Sequence, residues 1–551
     1  MIHLRTGAMR LLGVTASFPN GGQLNKIGAW LSLVVLLATC GCGGGSSGGG
    51  AALSPAPGVK TITASASATQ PAAGAATQVL LNITHNIHED PSVQNPSAAF
   101  NALQELQQND LVMASHKYIP NTSSGVWNFS GLDHEMNFLT QAGLPGTIFY
   151  NLAHCPAYLA QGGIPGAAPA DNAQFALYCQ RLVQYFNTTG GFSDTGTVHQ
   201  RTPLNIKYWE IWGETNINEY TDDNGLPESF SNMTSAQRSM FFSTPQSFRT
   251  AYEAAVPLMK SADPTIKVGG PCVTGILDPT AANFMDPSVQ AYITTLLQTS
   301  QPLDFVSYHD YANWGVTTSD QDAFAQVPEL IQIAQELESQ ILSSPHPSAE
   351  LWVTEGNGNP EADTTTPTDQ RARNCFDVAY LASLVRGYAL AGASGYARYD
   401  FMQPIAFNGA IYGALDDSGT RYPAFYGWKL LTTNLIRGAS FRQSSLMDPQ
   451  PVNGKPTVEI MAIQPAAKTL TIFVINKTAV SPADNTSQNP ATQGAMITVN
   501  LTITDGTVIS ATLKRVDPQS GGLDTSTLSP SQTLSFQLRG YGVACVVANL
   551  Q

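Results

Sequence analysis

The chain has 551 residues, with 26 Lys and Arg against 40 Asp and Glu, a net charge of −14. Hydrophobic residues make up 43% and charged residues 12%, enough apolar mass for a large core and too little charge for a mainly disordered chain. The acidic balance excludes a basic phosphate-binding surface, so no nucleic-acid partner is expected.

Residues 27–39, IGAWLSLVVLLAT, are a single apolar run too short to span a bilayer comfortably. Arg5, Arg10 and Lys26 precede it without an acidic residue, the layout of a signal peptide. Residues 37–40 then resemble a bacterial lipobox, in which the cysteine becomes lipidated; Thr39 departs from the usual small residue there. Cys40 is the expected anchor, Cys42 a rival, and ordinary secretory cleavage nearby the alternative. Residues 1–40 are read as signal peptide and 41–78, rich in Gly, Ser and Ala, as a disordered tether. The expected location is the bacterial periplasm or cell surface, touching the membrane only through the lipid. Five other cysteines, Cys155, Cys179, Cys272, Cys375 and Cys545, are widely spaced without a zinc pattern. Cys155 and Cys179 are the nearest pair for a disulfide; buried free thiols are the alternative.

Along residues 79–437, β-like runs alternate with helical patterns. Strands are expected at 79–83, 111–114, 146–150, 208–212, 266–268, 304–308, 350–353 and 395–399. Helical spacing between them is carried by Phe100, Leu103 and Leu106, by Leu132, Met136 and Leu139, and by residues 175–186 and 248–259. Eight strands separated by helices predict an α/β fold, a closed (β/α)8 TIM barrel. An open doubly wound sheet is the competitor, but no Gly-rich phosphate loop follows the first strand. Residues 438–551 change character: runs at 458–463, 470–475, 495–501 and 542–547, with turn signals at Asn453-Gly454 and Asp505-Gly506, predict a C-terminal β-sandwich.

Chemistry in such a barrel sits at the C-terminal strand ends. The fourth strand leads through Glu210 to Glu214, and the seventh to Glu355. Two carboxylates facing across the mouth suit glycoside hydrolysis, in which one protonates the leaving oxygen and the other attacks the anomeric carbon. Glu210, four residues before Glu214, is expected inside the barrel, paired with a buried base.

Four further segments carry a resemblance: 127–133 (WNFSGLD), 151–159 (NLAHCPAYL), 268–271 (VGGP) and 307–311 (SYHDY). Together with the two glutamates they resemble clan A of the glycoside hydrolases, the retaining (β/α)8 enzymes. Within it the chain is most similar to family 39, the β-xylosidase and α-L-iduronidase group. The resemblance implies Glu214 as general acid/base, Glu355 as nucleophile, and His309 and Tyr311 as pocket residues. It also implies an Asn before the acid/base that binds the sugar 2-hydroxyl; here Gly213 stands, so Asn216 or Asn218 is expected to supply the amide. His85 and Tyr399 occupy barrel-mouth positions expected to touch sugar; Lys117 and Asp400 also sit at the mouth. Trp212 and Trp314 are candidates for stacking on sugar, Trp212 equally for the core. The stretch from His85 to Glu89 lacks a third spaced ligand, so neither metal nor cofactor is expected. The reading is an exported retaining glycosidase with a carbohydrate substrate. The alternatives are a catalytically degenerate carbohydrate-binding lipoprotein and a surface adhesion or scaffold protein.

Overall fold

The computed structural model describes residues 60–72, 80–85, 96–106, 111–114, 120–141, 148–152, 155–164, 166–217, 233–312, 317–359, 369–403, 412–447, 457–479 and 495–551. The signal peptide, Cys40, Cys42, His88, Glu89, Lys117, Asn218 and Trp314 lie outside them. Among the described residues no helix is long and apolar enough to cross a membrane.

Eight parallel strands close into a barrel: Leu80–His85, Leu111–Ala114, Ile148–Leu152, Tyr208–Ile211, Lys267–Val273, Phe305–Tyr311, Glu350–Asn357 and Gly395–Arg398. They are counted first to eighth in chain order, and the ring closes with Gly395 opposite Leu80. Each of the eight expected segments overlaps one of them, and a helix follows every strand. Local sequence explains the helices. Asp171 accepts hydrogen bonds from Ala173 and Gln174 at the start of Asn172–Asn187. Thr244 and Ser247 form a capping box at the start of Pro245–Ala262, with Pro245 at its first position. That helix buries Phe248, Ala251, Tyr252, Ala255, Val256 and Met259, one stripe at helical spacing.

The barrel floor is aromatic. Phe149, Tyr208, Phe305 and Trp352, from the third, fourth, sixth and seventh strands, pack with ring centroids 5.0–5.9 Å apart. Two glycines make room for them. A Cβ on Gly395 would lie 2.2 Å from the Trp352 ring, and one on Gly269 2.5 Å from the Phe305 ring.

Eight strands between Ser440 and Leu550 join Lys60–Pro71 in a nine-stranded sheet. This strand runs parallel to Ile497–Thr504 and antiparallel to Ser440–Met447. The tether expected over 41–78 is therefore corrected at 60–71: every second residue, Ile62, Ala64, Ala66 and Ala68, is buried. Alanine fills most of those positions and carries little hydrophobic signal, so the alternation reads as low complexity. The two ends of the sheet approach each other, and Arg515 donates from Nη1 to the Gln537 carbonyl at 3.0 Å. The helix Cys375–Ala391 lies between barrel and sheet and is buried nearly all round. Its Ser383 hydroxyl donates to Glu459 at 2.7 Å, and its Arg386 to the Ile460 carbonyl at 2.8 Å. From the sheet side, the Tyr541 hydroxyl donates to Asp320 at 2.8 Å.

Two outcomes follow from this packing. Gly395→Ala should cost about 1–3 kcal/mol of stability in urea unfolding, because the barrel floor has no room for a methyl group. Burial pushes the carboxyls of Asp310 and Glu338 up to about 7. The native state thus holds protons that the unfolded chain releases near 4, and this contribution to stability falls as pH rises from about 4 to about 7. Melting temperature should decline across that window, and less steeply in Glu338→Gln.

Candidate active site

Beyond the fourth strand the chain turns sharply, with Trp212 at φ 77° and Glu214 at φ 39°. Left-handed backbone at such residues is strained and persists only where surroundings enforce it. Here they do. The Trp212 ring is buried edge-on to Phe175 and Phe242, with centroids 5.7 and 4.6 Å away, so it is core and not a sugar platform. The Thr215 hydroxyl donates to the Pro271 carbonyl at 2.7 Å. Asn216 donates from Nδ2 to the Thr274 carbonyl at 2.8 Å and accepts from the Thr274 amide at 2.9 Å. Both ends of the Asn216 amide thus pin the Glu214 turn to the residue after the fifth strand, and a second amide hydrogen remains on its half-buried side chain.

Two bulges then break strand alternation. On the seventh strand, Val353 pairs with Tyr308 and Glu355 with His309, leaving Thr354 as an extra residue. On the fifth, Pro271 pairs with Ser307 and Val273 with Tyr308, leaving Cys272 extra, at φ 53°. Bulges re-aim side chains. Consecutive Thr354 and Glu355 both reach interior groups as a result.

The outcome is a compact buried trio. His309 Nδ1 lies 2.9 Å from Glu214 Oε1 and 3.7 Å from Glu355 Oε1. One oxygen of each glutamate and a ring nitrogen of His309 all lie within 4.8 Å of one another. The Tyr311 hydroxyl donates to Glu355 Oε1. Burial by itself would lower the His309 pKa, but the Cys272 sulfur and the two glutamates hold it well above the ordinary 6.5. Burial, then the Glu355 charge, raises the Tyr311 phenol well above its usual value, so it stays a donor. The trio is compact enough to enclose a cation, but hydrogen-bond donors already stand between the carboxylates, an arrangement for sharing protons.

Glu214, Glu355, His309 and Tyr311 thus come together in one cluster. Tyr399 stands near Tyr311, half-buried, its ring edge-on to Tyr412 at 5.5 Å. Asp400 is fully buried and accepts from the Phe401 amide, which makes it a turn residue. His85 ends the first strand, and its side chain lies outside those described. Glu210 is buried as expected, but its partners are the Asn151 amide and, at 3.0 Å, the Thr354 hydroxyl. The buried base expected for it is corrected to these neutral donors, whose short side chains reach it from the third and seventh strands. The five cysteines are buried and free. Cys272, whose sulfur lies 3.1 Å from His309 Nε2, was not among the expected site residues.

No protein-family model matches the chain, and no curated protein is similar to it at a significant level. Solved structures do share its fold. A glucosidase from Croceicoccus marinus is 16% identical with a TM-score of 0.59, covering 89% of this chain and 99% of that one. A family 39 glycoside hydrolase from Xanthomonas axonopodis pv. citri is 14% identical with a TM-score of 0.57, covering 89% and 97%. A family 51 α-L-arabinofuranosidase from Thermotoga petrophila is 12% identical with a TM-score of 0.57, covering 88% and 100%. At these identities the likeness is one of fold. Family 39 is one of several families matched and is not singled out among them.

The Asn216 bridge sets a checkable cost. Asn216→Ala removes two hydrogen bonds and should lower stability by about 1–2 kcal/mol in urea unfolding.

Proposed function

We propose that the chain is a retaining glycoside hydrolase of clan A, a (β/α)8 barrel with a β-sandwich, cleaving glycosidic bonds of a polysaccharide or oligosaccharide. One observation carries this reading: Glu214 and Glu355, from the fourth and seventh strand ends, approach within 4.8 Å, with His309 between them. Retaining glycosidases need their two carboxyl groups about 5–5.5 Å apart, whereas inverting enzymes leave room for a water. Glu214 protonates the leaving oxygen while Glu355 attacks the anomeric carbon, forming a glycosyl-enzyme. Water then enters, gives its proton to Glu214, and releases the sugar with its configuration kept. Tyr311 holds the nucleophile in place through its hydrogen bond. The solved structures of similar fold include a glucosidase, a β-xylosidase and α-L-arabinofuranosidases, and these sugars are the first to offer. Export and a lipid at Cys40 or Cys42 belong to the same proposal, resting on the N-terminal sequence alone.

A second reading, sugar binding without cleavage, is favoured by a specific feature. Gly213 replaces the expected Asn, and the Asn216 amide is committed to Thr274. Hydrogen bonds to the 2-hydroxyl supply several kcal/mol in the transition state, so their loss would slow catalysis more than binding.

Aryl glucosides, xylosides and arabinofuranosides separate the two. Hydrolysis is expected with the anomeric configuration retained in the first product seen by NMR. Glu355→Gln should abolish release yet keep sugar binding in calorimetry, and Glu214→Ala should slow a poor leaving group by about 10²–10⁴-fold. Undiminished turnover in Glu355→Gln would overturn the assignment. Saturable binding with no release by the unaltered protein would install the second reading.

A further inference from the structure

Cys272 takes no part in that scheme, yet the fold is bent to place it. It is the extra residue of the fifth-strand bulge, sits at φ 53°, and is fully buried. Its amide donates to the Ser307 hydroxyl at 3.2 Å, which fixes the bulge. Its sulfur lies 3.1 Å from His309 Nε2 and 4.0 Å from the Thr354 hydroxyl.

The direction of these contacts follows from their far end. Glu210 accepts from Asn151 on one oxygen and from Thr354 on the other. The Thr354 hydroxyl spends its hydrogen on Glu210 and so offers a lone pair to Cys272. That leaves Thr354 as an acceptor for the thiol hydrogen and the sulfur lone pairs for the Asn151 amide, 3.8 Å away, and for His309 Nε2. Burial, then the Glu210 charge, pushes the thiol up to about 12, so it keeps its hydrogen through any working pH.

We infer that Cys272 is a positioning residue: its sulfur accepts the Nε2 hydrogen of His309 and so confines the mobile proton to Nδ1, facing Glu214 and Glu355. The proton then moves over the 2.9 Å between Nδ1 and Glu214 Oε1. Imidazolium with carboxylate becomes imidazole with carboxylic acid, and the total charge is unchanged. The groups facing the ring are Glu214 from the fourth strand's loop, Cys272 from the fifth strand and Glu355 from the seventh. Among the described residues, Tyr311 on its own strand and Glu210, acting on Cys272, stand next to these. The catalytic value of this arrangement rests on the glycosidase reading; the protonation pattern of His309 does not.

The test therefore has two arms. In full-length protein labelled with ¹⁵N-histidine, the His309 signals are identified by their loss in His309→Gln. We expect Nε2 to carry hydrogen throughout the pH titration, with Nδ1 alone changing. Cys272→Ala should give a mixture of neutral tautomers, whereas Cys272→Ser, which keeps a donor and acceptor, should restore the pattern. A bare Nε2 in the unaltered protein, or identical spectra in Cys272→Ala, would overturn the inference. In the kinetic arm, Cys272→Ala should lose about tenfold more kcat on a 4-nitrophenyl than on a 2,4-dinitrophenyl glycoside, a difference of about 1.4 kcal/mol, with KM unchanged. Equal losses on both would reduce Cys272 to packing. No turnover by the unaltered protein would count against the glycosidase reading and leave the spectra to decide the role of Cys272.

Discussion

The four rings of Phe149, Tyr208, Phe305 and Trp352 close the barrel floor, and what lies above depends on that closure. A packed floor excludes water, so polar groups on the next level must satisfy one another. Glu210 does so, accepting across the barrel from the Asn151 amide of the third strand and the Thr354 hydroxyl of the seventh, while Asn151 Oδ1 has no protein partner among the described residues. That level in turn supports Cys272 and His309, whose ring meets the two glutamates at the mouth. The layers run from apolar to neutral polar to ionisable along one axis. A looser floor would admit water beneath Glu210 and weaken the electrostatic coupling higher up.

Strand alternation supplies the first two layers but not the third. Along the sixth strand, Phe305, Ser307, His309 and Tyr311 alternate with outward Val306, Tyr308 and Asp310 without a break. The same count along the seventh would put Trp352 and Thr354 inside and Glu355 outside. The bulge at Thr354 restores Glu355 to the interior, and the bulge at Cys272 does the same for the thiol. Both bulged strands flank the sixth, so His309 is met from either side.

This explains what was legible in the sequence. The barrel strands were, because apolar runs and helical stripes alternate at the right spacing, and with them the place of Glu214 and Glu355 at two strand ends. Bulges leave no mark in a single sequence, so Cys272 looked like any other scattered cysteine. Glu210 was placed correctly but given the wrong partner, since partner choice depends on how far Asn151 and Thr354 reach across the barrel. The strand over Lys60–Pro71 was hidden by alanines that are buried only because a sheet from the far end of the sequence covers them.

The trio itself is asymmetric, and the asymmetry fits the roles proposed for the two glutamates. Two carboxylates this close repel when both are charged, so a proton or a positive group must stand between them. His309 is that group, nearer to Glu214 at 2.9 Å than to Glu355 at 3.7 Å. Tyr311 gives Glu355 a donor that keeps its own hydrogen. His309 gives Glu214 a partner able to give or take one. A group that must hand a proton to a leaving oxygen and recover one from water needs the second kind of neighbour. A group that must attack carbon needs only to be held still, and the first kind does that.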